Sequence, residues 1–105
     1  MELTILWTDF AKSELSRIYK YLKDQASPRI ARNETKKIAR ATIRLKKQPE
    51  IGKVEELLNG GGQEFRYLVH QSYKIIYWIN WNEKQVVIMD VFQTNQYPEK
   101  MKRTK

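Results

Sequence analysis

The stretch Glu64-Phe65-Arg66-Tyr67-Leu68-Val69-His70, Gln71-Ser72, Tyr73-Lys74-Ile75-Ile76-Tyr77-Trp78-Ile79-Asn80-Trp81, Asn82-Glu83-Lys84, Gln85-Val86-Val87-Ile88-Met89-Asp90-Val91-Phe92 decides the fold. β-branched and aromatic residues dominate each of its three runs, and the two polar breaks are short enough to be hairpin turns. An antiparallel meander follows. In the middle run Tyr73, Ile75, Tyr77, Ile79 and Trp81 share one face, and Lys74, Ile76, Trp78 and Asn80 the other. Neither face is cleanly polar, so at least part of both must be covered by other elements.

The cover comes from earlier in the chain. Leu3-Thr4-Ile5-Leu6-Trp7 reads as a strand at one edge of the sheet. Thr8 or Asp9 caps a helix over roughly residues 9 to 25, in which Ala11, Leu15, Ile18 and Leu22 recur at helical spacing beside Tyr19. Ser27-Pro28 restarts the chain, with serine as cap and proline at the first helical position, where no hydrogen bond is lost. The second helix is expected to run to about Lys47 with a narrow inner stripe of Ala31, Thr35, Ile38, Thr42 and Leu45. A link this short makes the two helices an antiparallel hairpin laid over one face of the sheet.

Pro49 and Gly52 stop the second helix, and Val54–Leu58 leads through a glycine-rich link into the meander. Gly60-Gly61-Gly62 lacks both the preceding strand and the following Gly-Lys-Ser/Thr of a phosphate loop, and reads as a connector. Gln93–Lys105 reads as a basic, partly ordered tail. The fold class is therefore α+β, an N-terminal strand and helical hairpin on a small antiparallel sheet, with residues 1–105 as a single domain.

Charge narrows the partners. The chain of 105 residues carries a net charge of +8. Between Ser27 and Lys53 nine basic residues stand against two acidic ones, and Glu99–Lys105 adds four against one. Such a field attracts nucleic acid or an acidic protein; the plainer alternative is a solvated helix face that aids solubility. With no cysteine there is no disulfide framework or thiolate metal site. The N-terminus has no signal-peptide pattern and no stretch reaches membrane-spanning length, so a cytoplasmic location without membrane, metal or cofactor is expected.

An ordered set of motifs runs over nearly the whole chain: Trp7-Thr8 with Ala11, Leu15-x-x-Ile18-x-x-Tyr21, Leu45-x-x-x-Pro49-x-x-Gly52, Phe65-Arg66-x-Leu68, Tyr73-Lys74-Ile75-Ile76-Tyr77, Val86-Val87-Ile88 and Asn95-x-x-Pro98. In this the chain resembles the RelE/ParE toxins of type II toxin–antitoxin systems, plasmid-stabilisation proteins among them. The resemblance implies one of two activities. RelE-like members cut mRNA on the ribosome, which needs a group to activate the 2′-hydroxyl and cations for the developing phosphorane charge. ParE-like members inhibit DNA gyrase by binding.

Carried onto this sequence, the nuclease reading implies Arg66, Lys74 and Tyr97 as catalytic residues, with His70 as a conceivable base. Lys74 stands where nuclease members have arginine, which keeps the charge and loses the bidentate fork. Asn95 and Met101 stand where they have an arginine and an aromatic. The ParE-like, non-hydrolytic mode is therefore the favoured expectation. Residues expected to meet the target or antitoxin are Arg40, Arg44, Lys47, Arg66, Lys74, Lys100, Lys102 and Arg103. The expected partners are gyrase or the ribosome, and an acidic antitoxin that folds along the helix–sheet groove in a hetero-oligomer. An inactive member or a plain basic nucleic-acid-binding module is the third possibility.

Several of these residues also have ordinary structural roles open to them. Arg66 has an ion pair with Glu64 or Asp90, His70 a solvated strand end, and Tyr73, Tyr77, Trp78 and Trp81 a place in the core. Asp90 must lie at an edge or be paired, because a lone buried carboxylate is costly.

Overall fold

A computed structural model describes residues 2–58 and 61–94. Strand β1 (Thr4–Trp7) is followed by helices α1 (Asp9–Gln25) and α2 (Pro28–Ala41), strand β2 (Lys53–Val54) and the meander β3 (Phe65–His70), β4 (Tyr73–Asn80) and β5 (Gln85–Gln93). Short 3-10 turns cover Ile43–Lys46 and Glu56–Leu58. The five strands form one sheet in the order β1-β5-β4-β3-β2. The meander is antiparallel as expected, but β1 joins β5 in parallel, so the sheet is mixed. Gln93, expected in the tail, is the last residue of β5.

The caps hold the layers together. Thr8 Oγ1 accepts from the Ala11 amide at 3.1 Å and donates to the Ile88 carbonyl at 3.0 Å, which ties the start of α1 to β5. Ser27 Oγ accepts from the Ile30 amide at 3.1 Å and starts α2 at Pro28. Contrary to expectation, α2 stops at Ala41, well before Lys47. Buried Thr42 turns its hydroxyl back to the Ala39 carbonyl at 2.7 Å and its amide bonds the same oxygen, so the chain tightens to 3-10 geometry. The tighter path buries Leu45 and lets the Lys46 carbonyl accept from the Leu3 amide at 2.9 Å, beside β1.

Both sheet faces are covered. On the helical side Ala11, Ile38 and Leu45 pack on Leu68, Tyr73, Ile75, Tyr77, Val86, Ile88 and Val91. On the other side Leu58, at the end of its 3-10 turn, packs with Phe65, Ile76 and Phe92, flanked by half-buried Tyr67, Trp78 and Met89. A bulge in β5 re-phases its side chains, since Ile76 pairs with Asp90 while Tyr77 pairs with Ile88 and Met89 is the extra residue. Ile88 and Val91 thereby share the helical face although three positions apart.

Candidate functional site

Among the described residues, Arg66 and Lys74, the two cations expected to act together on RNA, lie on opposite faces of the sheet. Ser72 and Gln71 form a two-residue turn that sets His70 opposite Tyr73, Val69 opposite Lys74 and Arg66 opposite Tyr77. Alternation along β4 then puts Arg66 on the helical face and Lys74 on the other. Tyr97, Lys100, Lys102 and Arg103, together with Asn95, Pro98 and Met101, lie outside the described residues.

Arg66 is bound to the turn that follows α2. Its Nη1 donates to the carbonyls of Gly52 (2.9 Å) and Glu50 (3.1 Å), and its Nη2 pairs with Glu64 Oε1 at 2.9 Å. Glu64, not Asp90, is thus its carboxylate, with Glu50 more distant at 3.7 Å. Tyr77 works on the same turn from below: its hydroxyl donates to the Pro49 carbonyl at 2.6 Å and accepts from the Gly52 amide at 3.0 Å. Burial raises the Tyr77 pKa above 10.0, opposed by the Gly52 hydrogen bond and by the charges of Arg66 and Arg44. Gly52 is required by space, because a Cβ there would sit 2.7 Å from the Tyr67 carbonyl and closer still to the Tyr77 hydroxyl. The Pro-x-x-Gly motif, the arginine and the tyrosine are one hydrogen-bonded corner.

Lys74 has the opposite surroundings. Its side chain is 8% exposed, and the ammonium meets Glu55 Oε1 at 2.5 Å and lies 4.0 Å from the centre of the Tyr67 ring. Glu55 is 3% exposed, and its other oxygen accepts from the Leu57 amide at 3.3 Å. The segment carrying Glu55 and Leu58 therefore closes over Lys74. Asp90, on the same face by register, is fully buried in an interior strand rather than at an edge. Nothing in the local pattern singled out Glu55, nineteen residues before its partner.

The remaining expected contacts lie on the surface. Arg40, Arg44 and Lys47 are exposed on α2 and the turn after it, with Lys47 reaching Glu2 at 3.9 Å. His70 ends β3 half-buried beside Arg40 and Arg44. Of the aromatics, Tyr73 and Tyr77 are core and Trp78 half-buried, but Trp81 falls past the end of β4 and is 57% exposed, against the expectation of a core residue. Beside β1 an open groove of about 640 Å³ is lined mainly by Ile5, Leu6, Trp7, Leu15 and Tyr19, together with Lys12, Ser16 and Thr35. Leu6 is 44% exposed there. Among the described residues no helix is long and apolar enough to cross a membrane, and no three His, Cys, Asp or Glu side chains cluster to hold a metal ion.

A helical hairpin on a small mixed sheet, with an apolar groove beside the edge strand, defines an α+β domain of the RelE/ParE type. The same fold occurs in the chromosomal ParDE toxin–antitoxin system of P. aeruginosa, at a TM-score of 0.72 and 17% identity, covering 88% of this chain and 96% of that one. It occurs in the toxin–antitoxin complex RelBE2 of Mycobacterium tuberculosis, at 0.60 and 20% identity over 89% and 99% of the two chains. It is also found in the archaeal RelE–RelB complex of Pyrococcus horikoshii, at 0.61 and 16% identity over 91% and 99%. No curated protein matches the sequence. The family model for the ParE toxin of type II toxin–antitoxin systems, parDE, matches residues 5–97, and the chain belongs to that family.

Proposed function

We propose that this toxin acts in the ParE-like mode, inhibiting DNA gyrase by binding, rather than as a ribosome-dependent nuclease. The observation that carries this reading is the separation of Arg66 and Lys74. Cleavage of an RNA phosphodiester needs its base, acid and phosphorane-stabilising cations to converge on one phosphate. Here one cation is spent on backbone carbonyls on the helical face, and the other is enclosed with Glu55 on the opposite face. The test is expression without antitoxin in a bacterial host, with translation, mRNA integrity and DNA supercoiling followed together, and with purified gyrase assayed in parallel. Inhibited supercoiling with early translation intact is expected. Early translation arrest with cut mRNA would overturn the reading in favour of the RelE-like endonuclease, and no growth arrest at verified protein levels would mark an inactive member.

The partner we infer is an acidic antitoxin segment in the cytoplasm that folds along the groove beside β1. Apolar side chains from α1 and β1 supply the surface for one face of an amphipathic helix, and the net charge of +8 attracts an acidic chain. Titration with such a peptide should show affinity that falls with salt and drops at least about ten-fold in Leu6→Asp, the loss expected from a disrupted apolar contact. Equal affinity in the variant would remove the groove from consideration.

A further inference from the structure

One cationic surface is not used by that reading. Arg29, Arg32, Lys36 and Arg40 recur along α2 at i, i+3, i+7 and i+11, all exposed, on the side opposite the buried Ala31 and Ile38. At its C-terminal end the row broadens into an open groove of about 370 Å³ lined by Lys37, Arg40, Ala41, Arg44 and His70. Three of its five lining residues are lysine or arginine, and Ala41 is the one small side chain. Lys37 pairs with Glu34 at 3.2 Å, whereas neither Arg40 nor Arg44 has a carboxylate partner among the described residues. Two like charges lining one groove repel each other unless an anion joins them. Arg40 also lies in the last turn of α2, where the helix carbonyls favour a nearby cation.

His70 forms one wall of the groove. It reaches the groove from the end of β3, and its Nε2 is covered by protein and has no hydrogen-bond partner. A covered polar ring atom without a partner is uncommon, because it forfeits its bond to water and gains nothing in return. Because Nε2 is covered, the groups open to an anion in the groove are the exposed Lys37, Arg40 and Arg44.

We propose that this groove seats a phosphate of a nucleic-acid backbone, with Arg40 and Arg44 on its oxygens and the α2 row tracking the phosphates that follow. The planar guanidinium fork matches two phosphate oxygens at once. The row's length selects among anions: α2 spans 14 residues, about 21 Å at the helical rise, and an extended line of cations fits a regular polyanion better than a cluster of carboxylates. The groove's chemistry does not depend on which enzyme the toxin inhibits. A phosphate contact here would seat the protein on nucleic acid near its target and leave the groove beside β1 open.

The experiment is a fluorescence-anisotropy titration of the full chain with a labelled duplex DNA, a labelled single-stranded RNA and a labelled poly-glutamate peptide, each across a salt series. Arg40→Ala/Arg44→Ala is compared with the wild type, and Lys20→Ala/Lys23→Ala on exposed positions of α1 serves as the charge-matched control. Each phosphate contact contributes about 0.9 to the log–log salt slope on duplex DNA and about 0.7 on single strands. The Arg40/Arg44 variant should therefore bind with a slope shallower by about 1.8 on DNA or about 1.4 on RNA, and at least about five-fold more weakly near 0.1 M salt, while the control shifts by less than half as much. The nucleic acid bound more tightly by the wild type at one salt concentration, and weakened more by the Arg40/Arg44 change, is the one the groove seats. Unchanged slope and affinity in the variant, an equal loss in the control, or binding of poly-glutamate with neither nucleic acid bound would each overturn the assignment. Circular dichroism of both variants separates loss of contact from loss of fold.

Discussion

Lys74→Met should be the most damaging single change on the sheet. The wild-type Lys74 and Glu55 side chains, 8% and 3% exposed, neutralise each other at 2.5 Å beneath the Glu56–Leu58 turn. Methionine fills a similar volume but leaves the carboxylate enclosed without its cation. Removing one partner of a buried pair costs about 3–5 kcal/mol, most of it the penalty of the charge left behind. A domain of this size has a total stability of about 5–15 kcal/mol, so the loss is a large fraction of it and should lower Tm by roughly 12–40 °C. Lys74→Met/Glu55→Gln removes both charges and should recover most of the loss, since a neutral pair no longer carries an uncompensated ion. Urea unfolding of the wild type, both single variants and the double variant closes the cycle. A loss below about 1 kcal/mol in Lys74→Met, or a double variant no better than the single, would refute the idea that the pair holds this face closed. The double variant also has a functional use. If it folds and still arrests growth, the Lys74 charge is dispensable for toxicity.

Three further outcomes follow from the corner around Gly52 and from the first helix cap. Tyr77→Phe loses its bonds to the Pro49 carbonyl and Gly52 amide and should cost about 2–3 kcal/mol near neutral pH by chemical denaturation. Because burial raises the folded-state pKa of Tyr77 above 10.0, its neutral form contributes stability that is full below about pH 10 and lost as pH rises towards the folded value. The gap between wild type and Tyr77→Phe should therefore hold up to about pH 10 and narrow as pH rises above it, and a gap that stays constant or widens there would contradict the assignment. Gly52→Ala drives a methyl against the Tyr67 carbonyl and the Tyr77 ring, neither free to move, and should cost about 1–3 kcal/mol in thermal melts. Thr8→Ala removes both the cap on Ala11 and the bond to Ile88, with an expected loss of about 1–2 kcal/mol and little change in binding.

Much of this architecture was legible because it is written locally. Caps at Thr8 and Ser27, proline at the first position of α2 and the two polar breaks of the meander act within a few residues, so they mark the ends of elements without knowledge of the rest. Even the separation of Arg66 from Lys74 was available in principle. A two-residue turn at Gln71-Ser72 places 70 opposite 73, and counting back puts 66 opposite 77 and on the other face from 74.

Other features had no local signature. The early end of α2 depends on where Thr42 and Leu45 are buried, and two-residue β2 is a strand only because Lys53 and Val54 meet Tyr67 and Arg66. The bulge at Met89 hides the alternation of β5, and the parallel pairing of β1 is set by the path of the helical hairpin between them. The fates of the candidate site residues were decided the same way. Arg66 met the Pro49–Gly52 turn and Lys74 met Glu55 through contacts between segments far apart in the chain. By itself the sequence determined the type and order of β1, the two helices and the three meander strands, and the basic surface of α2, because propensity, capping and charge act residue by residue. Only the tertiary structure decided which cations are enclosed and which face solvent, because burial and ion pairing depend on the segment packed above.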